Sequence, residues 1–110
     1  MKILSRSEEF LLLSIWRLQN NAYGVTIREQ LKKATGKTWA FGALFVSLDR
    51  LVKKGHLTSF LSDPTPERGG RSKRIYKLTE DGLQALVKIK QIERSMWDDL
   101  PDVLLGNIPG

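Results

Sequence analysis

The 110-residue chain contains no cysteine and a single histidine, His56. The first absence excludes a disulfide framework, a thiolate zinc site and a cysteine nucleophile. The second leaves His56 without another imidazole to share a metal or a proton relay. Long apolar runs are also missing. Phe10 to Leu13 is the longest early stretch, far short of the roughly 18 residues a bilayer-spanning helix needs. No charged leader with a cleavage site precedes it, so the sequence predicts a cytoplasmic protein without a membrane partner. The acid pairs Glu8-Glu9, Glu80-Asp81 and Asp98-Asp99 fall at predicted helix ends, where they complement the helix dipole. Gly69-Gly70 precedes no helix and makes no phosphate cradle. An enzyme is not expected, and neither a cofactor nor a metal site.

What the chain has is positive charge in its middle. The net charge is +6. Residues 26–78 hold 12 Lys or Arg against 4 Asp or Glu, whereas residues 79–110 hold 3 against 6. A basic middle and an acidic tail point to a polyanionic partner for the middle segment.

The segment from Thr38 to Leu57 organises the rest. Leu44, Leu48, Leu51 and Val52 recur at steps of three and four, the stripe of a helix. Ala43, Ser47 and Arg50 lie between them and predict a low, open outer face without apolar anchors. Lys53, Lys54 and Gly55 mark its C-terminal turn. Upstream, Ser7 with Glu8 and Glu9 predicts the start of a first, largely apolar helix that buries Trp16 and closes at Asn20-Asn21. A second helix is predicted over Val25–Thr35, with Val25, Ile27, Leu31 and Ala34 inward and Gly36 as its stop. Helix, short glycine turn and helix make a helix-turn-helix pattern.

After Gly55 come two short runs of β-formers, Leu57–Leu61 and Arg74–Leu78, joined by the turn-rich connection SDPTPERGGRSK. A helix-turn-helix followed by a basic hairpin predicts a winged helix. Thr79-Glu80-Asp81 then predicts a capped last helix running to Leu100 and stopped by Pro101. The fold class is thus mainly α with a small β-hairpin wing. Residues 1–78 form the winged-helix DNA-binding domain, and residues 79–110 the dimerisation helix and tail.

Three words of the sequence, NNAYGVTIREQL, FGALFVSLDRLVKKGHLTS and TPERGGRSKRIYKLTEDGLQAL, resemble the PadR-like family of bacterial transcriptional regulators over roughly residues 8 to 97. The element order is similar to the family's smaller members, which end in one dimerising helix. Two departures stand out. Phe45 and Val46 replace a common tyrosine-proline pair, and Ala40-Phe41 replaces a serine cap and proline, so that either Thr38 caps the helix or its end frays.

The resemblance implies a dimeric repressor bound to double-stranded DNA at a near-palindrome. Independently of it, a recognition helix enters the major groove N-terminal end first, which selects Trp39, Ala40, Gly42, Ala43 and, one turn on, Ser47. Arg50 faces either DNA or a salt bridge with Asp49 or Glu29. Trp39 either braces the turn or touches a sugar. Lys37, Lys53 and Lys54 suit phosphates, as do Arg68, Arg71, Lys73 and Arg74 of the wing and Thr26 and Arg28 of the second helix. Leu83, Leu86, Val87, Ile89, Ile92, Met96, Trp97 and Leu100 form the dimerisation stripe of a homodimer. Some relatives hold planar aromatic compounds against a tryptophan of the last helix. That implies a small aromatic effector at Met96 and Trp97, which equally suit the dimer core. The competing class is a winged helix that binds a protein partner, distinguished by exposed apolar anchors.

Overall fold

The structure, a computed structural model, describes residues 2–63, 72–98 and 100. Its elements run α1 (Arg6–Leu18), a 3-10 turn at Gln19–Asn21, α2 (Gly24–Thr35), α3 (Phe41–Lys53), β1 (Leu57–Leu61), β2 (Arg74–Leu78) and α4 (Glu80–Trp97). This is a winged helix, mainly α with a two-stranded antiparallel hairpin.

Helix α1 begins two residues earlier in the chain than Ser7 suggests, because Ser5 and Glu8 cap it reciprocally. The Ser5 hydroxyl accepts from the Glu8 amide at 3.1 Å, and the Glu8 carboxylate accepts from the Ser5 amide at 2.9 Å. At the other end Gln19, not the asparagines, takes positive φ (52°). Its backbone N–H bonds back to the carbonyls of Ile15 and Trp16. The core gathers Leu11, Leu12 and Ile15 of α1, Ile27 and Leu31 of α2, and Leu44, Leu48 and Leu51 of α3. Leu57, Tyr76 and Leu86 complete it from the hairpin and α4. Burial of each such side chain contributes about 1.5–3 kcal/mol.

Three expected core residues are not in the core. Trp16 is 54% exposed and Val25 48% exposed, and Ala34 is exposed as well. Trp16 follows buried Ile15 by one residue, about 100° further round the helix, which carries the indole to the flank. In α2 only the i, i+4 pair Ile27 and Leu31 points inward, and the flanking apolar residues are left on the surface.

Helix α3 ends in a Schellman motif. Gly55, at φ +84°, lets the amide of His56 reach the Leu51 carbonyl and its own amide reach that of Val52. The hairpin pairs Leu57 with Leu78 through Leu61 with Arg74. The Ser62 amide continues the ladder to the Lys73 carbonyl. The Tyr76 amide donates to Ala22 at 2.8 Å, which fastens the wing to the turn before α2.

Thr79 caps α4 by accepting from the Gly82 amide at 3.0 Å. The helix ends at Trp97 rather than Leu100. Leu86 reaches the core and Ala85 and Ile89 pack against it, so the first half of α4 belongs to the body of the molecule. Further along, Arg6 bridges Glu9 of α1 and Glu93 of α4. Burial, reinforced by the neighbouring Glu93 carboxylate, pushes the Glu9 carboxyl above its ordinary pKa despite Arg6.

Candidate nucleic-acid interface

Helix α3 presents its outer side as one line. Leu44, Leu48 and Leu51 are buried, and the 3.6-residue period sets Gly42, Val46, Asp49 and Lys53 opposite them. All four are exposed. The sequence reading placed Ala43, Ser47 and Arg50 on this face. Ala43 and Arg50 are exposed at its edge, whereas Ser47 is half-buried. It also expected no apolar anchors there, yet Phe41, Phe45 and Val46 are 39%, 42% and 58% exposed. The helical wheel around Leu44 and Leu48 was the signal that would have found Val46. The N-cap of α3 is Ala40, which makes no side-chain capping hydrogen bond, and Thr38 stands two residues before that position rather than in it.

The turn before α3 is braced from α2. Arg28 donates from Nε to the Trp39 carbonyl at 2.6 Å and lies over the Phe41 ring, 4.3 Å from its centre. Trp39 itself packs against the core. The Thr26 hydroxyl accepts from the Tyr23 amide at 3.0 Å and donates to the Asn21 carbonyl at 2.5 Å, holding the start of α2. Both side chains are therefore engaged within the fold.

The wing meets the beginning of α3 in a cleft of about 400 Å³ lined by Tyr23, Gly24, Val25, Phe41, Phe45, Ser72, Lys73 and Arg74. Phe45 stacks with Phe41 at 6.0 Å between ring centres and stands directly over Gly24. Lys73 sits 4.2 Å from the centre of the Tyr23 ring. Arg74 donates to the Ser59 hydroxyl across the hairpin at 3.1 Å and is otherwise exposed. Arg68 and Arg71 lie outside the described residues.

On the opposite flank of α3, Lys54 is held by Glu8 at 2.6 Å. Burial tends to raise the Glu8 pKa, but Lys54 and the Ser5 cap outweigh it and hold the carboxyl below its ordinary value. Ser47, Arg50 and Lys54 border a second cleft with Ser5, Ser7, Glu8 and Trp39. Among the described residues Arg50 forms no ion pair, either with Asp49 or with Glu29. Lys37 and Lys53 are exposed.

The sequence pattern that defines the transcriptional regulator PadR-like family matches residues 12–88. This chain belongs to that family. Among solved structures, it is similar to a PadR family transcription regulator from Clostridium difficile. The two are 28% identical, the match covers 88% of this chain and 97% of that one, and the TM-score is 0.67. The complex structure of hsRosR-S1 is similar at 25% identity and TM-score 0.71, over 90% of this chain and 80% of that one. A PadR-like transcription factor from Bacteroides fragilis shares the fold at 24% identity and TM-score 0.66, over 82% of each chain. A comparison with curated proteins found no match.

The PadR-like regulator carries a second surface on α4. Leu83, Val87, Met96, Trp97 and Leu100 are each 40% exposed or more, Ile92 is half-buried, and Leu86 and Ile89 turn inward. Leu13 and Trp16 of α1 join Leu83, Leu86 and Val87 around a groove of about 420 Å³ that Glu9, Lys90 and Glu93 also line. The sequence reading missed Leu13 and Trp16 because it assigned α1 wholly to the core. Among the described residues no helix is long and apolar enough to cross a membrane, and no cluster of His, Asp or Glu could hold a metal ion.

Proposed function

We propose that this transcriptional regulator is a dimeric, cytoplasmic repressor that reads a near-palindromic operator in double-stranded DNA. The reading rests above all on the cleft where Lys73 and Arg74 of the wing meet the start of α3. It brings the cationic hairpin and the uncapped helix end to one surface. Gly42 has open space around it, so backbone can approach a duplex closely there. Lys37, Arg50, Lys53, Lys73 and Arg74, with Arg68 and Arg71 of the wing, are the cations from which about four phosphate contacts per copy are drawn. Residues 1–78 act as the DNA-binding part and residues 79–110 as the dimerising part. Leu83, Val87, Ile92, Met96, Trp97 and Leu100 of the two copies, with Leu13 and Trp16, cover one another. Met96 and Trp97 also suit a small aromatic effector held between the copies.

The test is selection of bound fragments from random duplexes, followed by a salt titration. A dimer using about four cations per copy gives a log–log salt slope of about −7, on half-sites spaced by about 10 base pairs or a multiple. A second reading, a winged helix that docks on a protein, draws support from exposed Phe41, Phe45 and Val46. Absence of any enriched sequence, with a slope near zero, would favour it.

A further inference from the structure

We propose that Val46 and Asp49 are the base-reading side chains of α3, Val46 packing on a thymine methyl and Asp49 accepting from a cytosine amino group on the neighbouring base pair. The proposal rests on the DNA-binding reading above and names what the helix recognises. Val46 lies opposite the buried leucine stripe and is 58% exposed. Phe41 and Phe45, its aromatic neighbours on the helix, lean instead into the cleft beside the wing. A β-branched residue at an exposed helical position carries a propensity cost without a packing gain inside its own fold. On this face the matching apolar surface is the thymine C5-methyl, the one apolar group that the major groove displays. Gly42, one turn before Val46, has nothing within 4 Å of the position its Cβ would take, which leaves room for the backbone to come close.

Asp49 supplies the polar half. It is an exposed carboxylate beside Arg50 and Lys53 and makes no ion pair among the described residues. Facing phosphates, an acceptor-only group is repelled unless a donor meets it, and cytosine N4 is the major-groove donor that carboxylates take. Three residues apart on the outward line of α3, Val46 and Asp49 are separated by about 4.5 Å along the helix, near enough for the two side chains to meet neighbouring base pairs in the groove.

The experiment uses the full chain and its selected operator, with each thymine replaced in turn by deoxyuridine, which lacks only the methyl. At one thymine per half-site the wild-type protein should bind about fourfold more weakly, the equivalent of one buried methyl group. Val46→Ala should bind the thymine and deoxyuridine duplexes equally. Asp49→Asn should lose the preference for cytosine at the adjoining pair. The proposal is overturned if no deoxyuridine substitution weakens wild-type binding. It is equally overturned if Val46→Ala keeps the full fourfold loss, or if Asp49→Asn leaves the neighbouring base preference unchanged. An operator that is selected and salt-sensitive yet indifferent to these changes sinks this assignment alone. Failure to enrich any operator sinks the DNA-binding reading and this one with it.

Discussion

The Arg28 side chain donates to the carbonyl of Trp39, eleven residues on, at 2.6 Å. The same guanidinium covers the Phe41 ring at 4.3 Å, so one α2 side chain holds both the last turn residues and the first residue of α3. A planar cation with several donors can satisfy both contacts at once, which a lysine ammonium cannot.

Replacement of Arg28 by alanine should therefore cost about 1–3 kcal/mol in urea unfolding, from the lost hydrogen bond and the ring contact. DNA affinity should fall because the start of α3 loses its position. The salt slope separates bracing from direct contact. A brace leaves it unchanged, whereas a lost phosphate contact lowers its magnitude by about 0.9 per copy.

Two of the helical glycines, Gly42 and Gly82, should respond in opposite senses to alanine. A Cβ on Gly82 would stand 2.3 Å from the His56 carbonyl oxygen, a backbone atom that cannot move without displacing the wing from α4. Gly82→Ala should destabilise the protein by about 2 kcal/mol or more, read from a denaturation midpoint. Gly42 meets nothing within 4 Å, so Gly42→Ala should stabilise the fold by about 0.5–1 kcal/mol. If the duplex approaches this backbone closely, the same change weakens DNA binding.

Neighbouring carboxylates Glu8 and Glu9 give opposite pH dependence. The Glu9 carboxyl, raised by burial and by Glu93, favours the protonated form in the folded state. Its contribution is fully present below the ordinary carboxylate pKa and is lost as pH rises through the raised value. Burial also opposes ionisation of Glu8, but Lys54 and Ser5 prevail and lower its pKa. Its contribution is present above the ordinary value and is lost as pH falls through the lowered one. Glu9→Gln should thus raise the melting temperature relative to wild type at pH 7 but not at pH 4, and Glu8→Gln should lower it at pH 7. Thermal melts at the two pH values check both signs.

Val87 is 49% exposed at the centre of the outward α4 face, so the folded monomer tolerates an aspartate there, and the proposed pairing of two copies through this face would bury it. Val87→Asp should convert a dimer to monomer in sedimentation velocity and weaken operator binding, with the circular dichroism spectrum unchanged. An unchanged sedimentation coefficient would place the dimer contact elsewhere.

Much of this architecture was legible in the residues themselves. The leucine period of α3, Gly36 and Gly55 at positive φ, the Thr79 cap and both strand boundaries follow from local chemistry: side-chain spacing, capping hydroxyls and the freedom of glycine. Those preferences act within one or two turns of chain, so the sequence alone determined the element order and the winged-helix class. Tertiary structure decided which side of each element meets another. It brought Trp16 and Val25 to the surface, where they stand 54% and 48% exposed. It engaged Arg28 and Lys54 with partners eleven and forty-six residues away, whereas the outward place of Val46 was already implicit in the leucine period of α3. Contacts between distant segments depend on how the helices pack, and no periodicity within a single helix encodes that.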